Sequence, residues 1–205
     1  MAFLTYTEIY DTYRKEFNFR VKQEYSWYKK ADSLRNAINK AFLSRNEKEE
    51  IEDHQSRYGI PKCLPLAAEV ALSYFDARCI SNFDNFTSIY KFVQDVRKEV
   101  KGFGELANYD VAMRIANYLG CGEIQVVYLH AGVKAGCRAL GLNIKNRRII
   151  PVEEFPAPFN KLSGDHLENL LCIYKKVLAD SSAEVGKTCI RPKTNSSCIR
   201  KKGCS

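Results

Sequence analysis

The sequence is poor in the residues that make turns, with only 11 glycines and 6 prolines among 205 residues. An all-β protein needs many tight turns, so this scarcity argues against one and favours helices. No uninterrupted apolar stretch approaches the roughly 18 residues of a membrane span, so we expect no membrane partner. The first residues also lack the apolar segment and cleavage site of a secretory leader, which predicts a cytoplasmic protein with reduced thiols.

Metal-ligand spacing is missing as well. The eight cysteines include no Cys-x-x-Cys pair, and the three histidines stand far apart in the chain. Neither a metal ion nor an organic cofactor is therefore predicted. Five cysteines lie among apolar residues and are interpreted as small buried hydrophobes: Cys63, Cys79, Cys121, Cys137 and Cys172.

Positive charge is what the chain has in excess. It carries 32 lysines and arginines against 24 acidic residues, a net charge of +8. Such an excess draws a protein toward a polyanion, most often nucleic acid. Hydrophobic residues make up 45% of the chain, which is enough to fill a core. The composition therefore predicts a globular basic protein and makes DNA its first candidate partner.

Apolar residues recur at helical spacing along most of the chain. We predict an all-α fold, a compact helical bundle that acts as a monomer. Residues 1–56 are expected to form a helical pair that packs on the core, and residues 57–180 the central helical domain. From Ser181 the chain is polar and basic, so 181–205 is predicted to be a disordered tail that serves either solubility or a non-specific grip on nucleic acid.

The most informative segment is 96–120, in which two amphipathic helices flank Lys101-Gly102-Phe103-Gly104. Ser81 or Asn82 is expected to cap the first helix, which would end at Gly102. The second is expected to begin near Gly104 or Glu105 and to stop at Gly120. Glycines on both sides of an apolar residue permit a tight turn and the close approach of another backbone, and Phe103 would anchor that turn in the core. A plain helical joint with a C-capping glycine is the alternative.

This pattern resembles the helix-hairpin-helix element of DNA repair proteins, in which a Gly-apolar-Gly hairpin grips one phosphate of the DNA backbone. The resemblance covers at most Tyr58 to Leu142. It implies DNA as the partner and outward-pointing backbone amides as the phosphate ligands. The expected DNA-binding residues are Lys101, Gly102, Phe103, Gly104, Glu105, Leu106, Arg114 and Arg138.

The segment Tyr109–Gly120 is similar to one in helix-hairpin-helix DNA glycosylases, where a catalytic Asp opens a helix. The likeness implies that Asp110 is the catalytic group. Two features depart from the family: only Glu105 to Tyr109 separate the hairpin from Asp110, and Arg114 lies one residue closer to it. Asp110 is alternatively an ordinary residue of the hairpin's own second helix, paired with Arg114 one turn later.

Cleavage of an N-glycosidic bond explains why such an enzyme needs a carboxylate. Positive charge builds on the sugar as the bond breaks, and a fixed carboxylate stabilises it or activates water. The base must first leave the stack and enter a pocket. Aromatic side chains are expected to line that pocket, because the chain contains 12% aromatic residues.

A second cluster, Tyr128 to Gly141, alternates small residues with His130, Lys134 and Arg138. His130 is a candidate proton donor to a departing base, although a lone His in an apolar run is more often a core residue. Lys134 is the candidate amine nucleophile if a lyase step exists. Glu69, alone in an apolar helix, is expected to pair with a buried arginine or to lie in the site.

The leading functional prediction is a DNA glycosylase that excises a damaged or modified base, such as a modified base of phage DNA, in base-excision repair or antiviral defence. The alternative is a non-catalytic helix-hairpin-helix module that binds structured or single-stranded DNA. A helical protein-interaction scaffold with an incidental basic surface is a third hypothesis.

Overall fold

The computed structural model describes residues 4–48, 50–52, 62–80, 82–122 and 124–185. These residues form the helices α1 (Tyr6–Tyr28), α2 (Leu34–Leu43), α3 (Leu64–Ala77), α4 (Phe86–Glu99), α5 (Glu105–Leu119), α6 (Ala131–Ala139) and α7 (Gly164–Val185). Two short strands, β1 (Val126–Tyr128) and β2 (Ile149–Pro151), pair antiparallel with Val127 opposite Ile150. The prediction of a mainly helical fold is confirmed.

Residues at the helix ends explain where the helices begin and stop. Thr5 and Glu8 form a reciprocal capping box at the start of α1. The predicted start of α4 is wrong, because Asn85, and not Asn82, accepts the amide hydrogen of Ser88 and caps the helix. Ser81, the other predicted cap, lies outside the described residues.

The helix α4 also stops earlier than predicted, at Glu99, where Val100 adopts an extended conformation. The predicted bounds of α5 are confirmed: it begins at Glu105 and ends before Gly120, which has a φ of 77°. That left-handed conformation is common after a helix and favours glycine.

The interior consists of two hydrophobic clusters. The first core is built by α2, α3, α4 and α5 and contains Phe42 and Ile89. The second core lies among the start of α1, the two-stranded sheet, α6 and α7, and contains Ile9 and Leu171. The helix α5 therefore belongs to one core, whereas α6 and α7 belong to the other.

The strand β1 and the helix α1 both join the two cores. Side chains of a strand alternate between its faces, so Val127 belongs to the second core whereas Tyr128 packs against the first. In α1, Tyr13 belongs to the second core and Tyr25 packs against the first. The described residues of 1–56, the segment predicted as a helical pair that packs on the core, thus contribute to both cores, and the division into domains stays a prediction.

The close packing of α6 on α7 depends on glycine. A Cβ built at Gly136 would lie 2.7 Å from the backbone oxygen of Leu171, and one at Gly132 would lie 2.8 Å from Sγ of Cys172. Such distances are shorter than van der Waals contact. The small residues that alternate along α6 therefore allow the backbones of the two helices to approach each other.

Several smaller predictions are corrected by the structure. Glu69 is exposed on the outer face of α3, so it neither pairs with a buried arginine nor enters a site. Cys79 is exposed, contrary to the prediction, and Cys137 is buried, with the other three described cysteines between these extremes.

The helix α7 continues to Val185, past the predicted start of the tail at Ser181, and residues 186–205 lie outside the described part of the chain. None of the described helices combines the length and apolar character needed to cross a membrane.

Candidate functional site

The connection between α4 and α5 is a tight turn made possible by Gly102. The amide of Phe103 donates a hydrogen bond to the oxygen of Val100 at 3.2 Å, which closes the turn. Gly102 has a φ of 95°, a conformation that side chains with a Cβ rarely adopt. Lys101 is exposed at the tip of the turn. The predicted pair of helices with a glycine-containing turn between them is present at these residues.

Phe103 anchors this turn in the first core. Its side chain is only 3% exposed and stacks on Phe42, with 5.6 Å between ring centroids. The neighbouring Gly104 occupies the N-cap position of α5 without a side-chain cap. Apart from its two neighbours in the chain, none of the described residues has an atom within 4 Å of a Cβ built at Gly104. A ligand can therefore approach the free amides at the start of α5.

A cavity of about 600 Å³ opens beside the turn. One wall is formed by the start of α5, and another by the start of α6, while α7 closes the third side. The described residues that line it are Gly102, Gly104, Glu105, Leu106, His130, Ala131, Gly132, Ala135, Cys172 and Lys175. The cavity thus lies between elements of the two cores, with two helix N-termini opening into it.

His130 is the most deeply buried ionisable side chain in the lining, with only 5% of its surface exposed. It occupies the N-cap position of α6, but its imidazole does not cap that helix. Instead, Nε2 contacts Oε1 of Glu168, which lies on α7 and is itself 7% exposed. A buried carboxylate in this position orients the imidazole and selects its tautomer.

The electrostatic surroundings of His130 favour its protonated form. Burial works against the charge, but the hydrogen bond and charge of Glu168 raise the pKa of His130 above its ordinary value. The carboxylates of Asp110 and Glu105 contribute in the same direction. Imidazolium therefore persists to a higher pH here than it would in water.

Tyr109 packs against His130 from the side of α5. Their ring centroids are 6.2 Å apart. The Tyr109 hydroxyl is buried and has no hydrogen-bond partner among the described residues. Desolvation raises the pKa of Tyr109 well above its ordinary value, so the phenol stays neutral. The imidazole is thus held between a neutral aromatic ring and a carboxylate.

Charged side chains at the mouth of the cavity come from α5 and α7. Lys175, on α7, is partly exposed and lines the cavity. Glu105 is turned toward Arg97 of α4, with 3.7 Å between its carboxylate oxygen and the guanidinium. Because Glu105 and Glu168 each face a cationic group, Lys175 is the basic residue of the lining that is left to attract an anionic ligand.

The structure separates the three predicted catalytic residues. His130 lines the cavity, whereas Asp110 is partly buried within α5. Asp110 is not among the described residues that line this cavity. Its carboxylate affects His130 electrostatically, by helping to raise the pKa of the imidazole. Lys134 lines a different cavity, so the structure does not bring it together with His130.

Lys134 and Arg138 line a second cavity of about 560 Å³, together with the loop 142–147. Two more basic residues, Lys145 and Arg147, border it, and Arg147 is paired with Glu154 at 2.6 Å. Arg138 is exposed, so it stays available to a polyanion, although away from the hairpin. The predicted catalytic group and the predicted DNA-binding group therefore each have members in both cavities.

The prediction that Arg114 binds DNA is wrong, because its side chain is buried. It is only 2% exposed and donates hydrogen bonds to Glu24 at 3.0 Å and to Ser44 at 2.7 Å. Its guanidinium also lies over the ring of Tyr28. Arg114 therefore links α5 to α1 and α2 and has no free surface for a phosphate.

The lining also differs from expectation in its chemistry. Among the described residues around the first cavity, none is a phenylalanine, tyrosine or tryptophan, so the expected lining by such side chains is not found there. Glu168, Cys172 and Lys175 were missed by sequence reasoning. Their spacing places them on one face of α7, and Glu168 lies within the apolar stripe formed by Leu167 and Leu171. A charged residue within such an apolar stripe is the sequence signal that could have identified Glu168.

Within the described residues, no three His, Cys, Asp or Glu side chains are grouped so as to hold a metal ion. Comparison with protein-family models, with curated proteins and with solved structures found no match to this chain.

Proposed function

We propose that the protein binds the sugar-phosphate backbone of DNA at the turn between α4 and α5. The observation that supports it is the open N-terminus of α5. Gly104 leaves space in front of the first-turn amides, and a helix N-terminus attracts a phosphate through these amides and the helix dipole. The second helix N-terminus and Lys175 border the same cavity, and the chain carries a net charge of +8.

The first test is the affinity for labelled single-stranded and duplex DNA, measured by fluorescence anisotropy. Gly104→Val is compatible with the backbone, because the residue has a φ of −81° and a ψ of 178°. The valine side chain would occupy the space needed by the phosphate. Loss of a charge-assisted contact costs about 1.5–3 kcal/mol, so we expect affinity to fall roughly tenfold or more.

Two lysines on α7 provide a matched control. Lys175 lines the cavity and the adjacent Lys176 is exposed elsewhere on the helix. Lys175→Ala is expected to reduce the slope of log affinity against log salt by about 1. Lys176→Ala, which removes the same charge, should leave the slope nearly unchanged. An unaltered, salt-dependent affinity in Gly104→Val would contradict the proposed role of the turn.

A second candidate function, excision of a base, is favoured by the position of His130. It lies in a cavity beside the proposed phosphate site, where an imidazolium is suited to protonate a departing base. The test is a panel of duplexes and single strands that carry damaged or modified bases, including modified phage DNA, followed by alkali to cleave abasic sites. Alkali-dependent breaks with the wild type, and weaker ones with His130→Gln, are expected for a monofunctional glycosylase.

The same screen separates Asp110 from His130. If Asp110 is the catalytic carboxylate, Asp110→Asn should abolish excision but leave DNA affinity intact or higher, since it removes a negative charge. Full activity in Asp110→Asn would exclude Asp110 as the catalytic carboxylate. Binding without strand breaks across the whole panel would favour the non-catalytic DNA-binding module.

A further inference from the structure

We infer that the cavity between α5, α6 and α7 binds a phosphate monoester, and that its source is the terminal phosphate of a DNA strand. His130 and Lys175 would be the cationic contacts, and Glu168 the residue that positions His130. This inference rests on the proposed DNA binding for the source of the ligand. The site itself is argued from the burial, the free amides and the charges of the lining.

Burial decides which phosphates can reach the site. Only 5% of His130 is exposed, so a ligand touches it only by entering the cavity. A phosphate within a continuous strand carries a nucleotide on each side, which holds it at the protein surface. A terminal phosphate has a single substituent, so it can enter a cavity of about 600 Å³ while the strand remains outside.

Two helix N-termini supply hydrogen-bond donors for such a group. In the part of the chain that the structure describes, neither the N-cap residue of α5 nor that of α6 uses its side chain to cap the helix. Gly104 has no side chain, and the imidazole of His130 is bonded to Glu168. The first-turn amides of both helices are thus left for an anion. Ala131 and Gly132 line the cavity at the start of α6, and their small size leaves room for a ligand there.

The charges favour a monoester over a diester. A phosphate monoester carries about −1.5 to −2 charges at neutral pH, whereas a backbone phosphodiester carries one. Glu168 holds the pKa of His130 above its ordinary value, so the imidazole stays protonated and can donate a hydrogen bond to a phosphate beside the charge of Lys175. Of the carboxylates near His130, Glu105 faces Arg97 and Asp110 lies outside the lining.

The test compares one DNA sequence with a 5′-hydroxyl, a 5′-phosphate or a 3′-phosphate, using an internal label and fluorescence anisotropy. We expect about tenfold tighter binding of one phosphorylated form, equivalent to one strong charge-assisted contact. Lys175→Ala should remove this preference and Lys176→Ala should retain it. Because Lys175 is partly exposed, its substitution tests the site even if Glu168→Gln fails to fold.

The role of Glu168 is tested by the pH profile of the preference. A raised pKa in His130 means that its charge is present at low pH and is lost as the pH rises through that value. The preference should fall over the same range, and Glu168→Gln should move the fall to lower pH. The phosphate is almost fully ionised above pH 7, so a fall there reports on the protein.

The outcomes distinguish the inference from the proposed function. DNA binding that is equal for all three ends overturns the inference and leaves the proposed function intact. If no DNA binds, the proposed function fails, and a thermal-shift titration with inorganic phosphate and a deoxynucleoside monophosphate tests the site alone. A shift that Lys175→Ala abolishes supports a monoester site, and no shift overturns it.

Discussion

At the scale of single residues, Phe103 and Arg114 differ in whether their burial could be predicted from the sequence. The burial of Phe103 was predictable, because an apolar residue between two glycines of a turn has no other stable place than the core. The burial of Arg114 was not, because its partner Glu24 lies 90 positions away along the chain. Local spacing carries no information about such a contact.

Arg114 is therefore expected to serve stability and not DNA binding. The side chain of Glu24 is 36% exposed, so Arg114→Met does not leave its carboxylate buried without a partner. The substitution does remove a hydrogen-bond partner of the buried Ser44 hydroxyl and should lower the free energy of unfolding by about 1–3 kcal/mol. Chemical denaturation measures this change. The salt dependence of DNA binding, measured on the folded variant, should stay as in the wild type. A smaller slope of log affinity against log salt in this variant would mean that Arg114 does contact DNA.

His130 and Glu168 show the same division between local and distant information. His130 was a candidate from its own neighbourhood, where small residues surround a polar one. Glu168 lies 38 positions later and completes the pair only when α7 packs on α6. The structure does not bring Lys134 together with His130, because Lys134 lines the second cavity and not the first, and its role as a nucleophile stays a prediction.

At the scale of elements, the bounds of α5 were predictable from sequence and those of α4 were not. Gly104 and Gly120 each mark an end of α5, and no competing signal lies nearby. The start of α4 offered several capping residues within five positions, and the structure uses Asn85, which has Ser88 at the correct spacing. Capping preferences among adjacent polar residues differ by too little for sequence alone to decide.

The packing of α6 on α7 gives a prediction about Gly136. Gly136→Ala places a methyl group 2.7 Å from a backbone oxygen of α7. Alanine favours a helix over glycine by about 1 kcal/mol, but overpacking costs about 1–3 kcal/mol. We expect a net loss of roughly 1 kcal/mol, because the backbone cannot move aside without separating the helices.

Gly132→Ala is the matched control for this substitution. Its methyl group would meet the Cys172 sulfur at 2.8 Å, and that side chain can rotate away. Thermal unfolding of both variants should show a lower melting temperature for Gly136→Ala than for Gly132→Ala. Equal melting temperatures would mean that the closeness of the backbones at Gly136 is not a constraint.

At the scale of the whole molecule, the location of the site lies beyond what the sequence could predict. The helical class followed from periodicity and from the scarcity of turn residues. The cavity, by contrast, needs the turn before α5 from the first core and His130 with Glu168 from the second. Its assembly depends on how α1 and β1 join the two cores, which is information about tertiary packing.

The position of the cavity between the two cores has an energetic consequence. A ligand there touches residues from both halves, so it acts as a non-covalent cross-link that exists only in the assembled fold. By mass action it would stabilise that fold by about 2.7 kcal/mol at a hundred times its dissociation constant. The cohesion of the two halves would then rise and fall with the concentration of the ligand, and the protein would be most resistant to unfolding where its target is abundant.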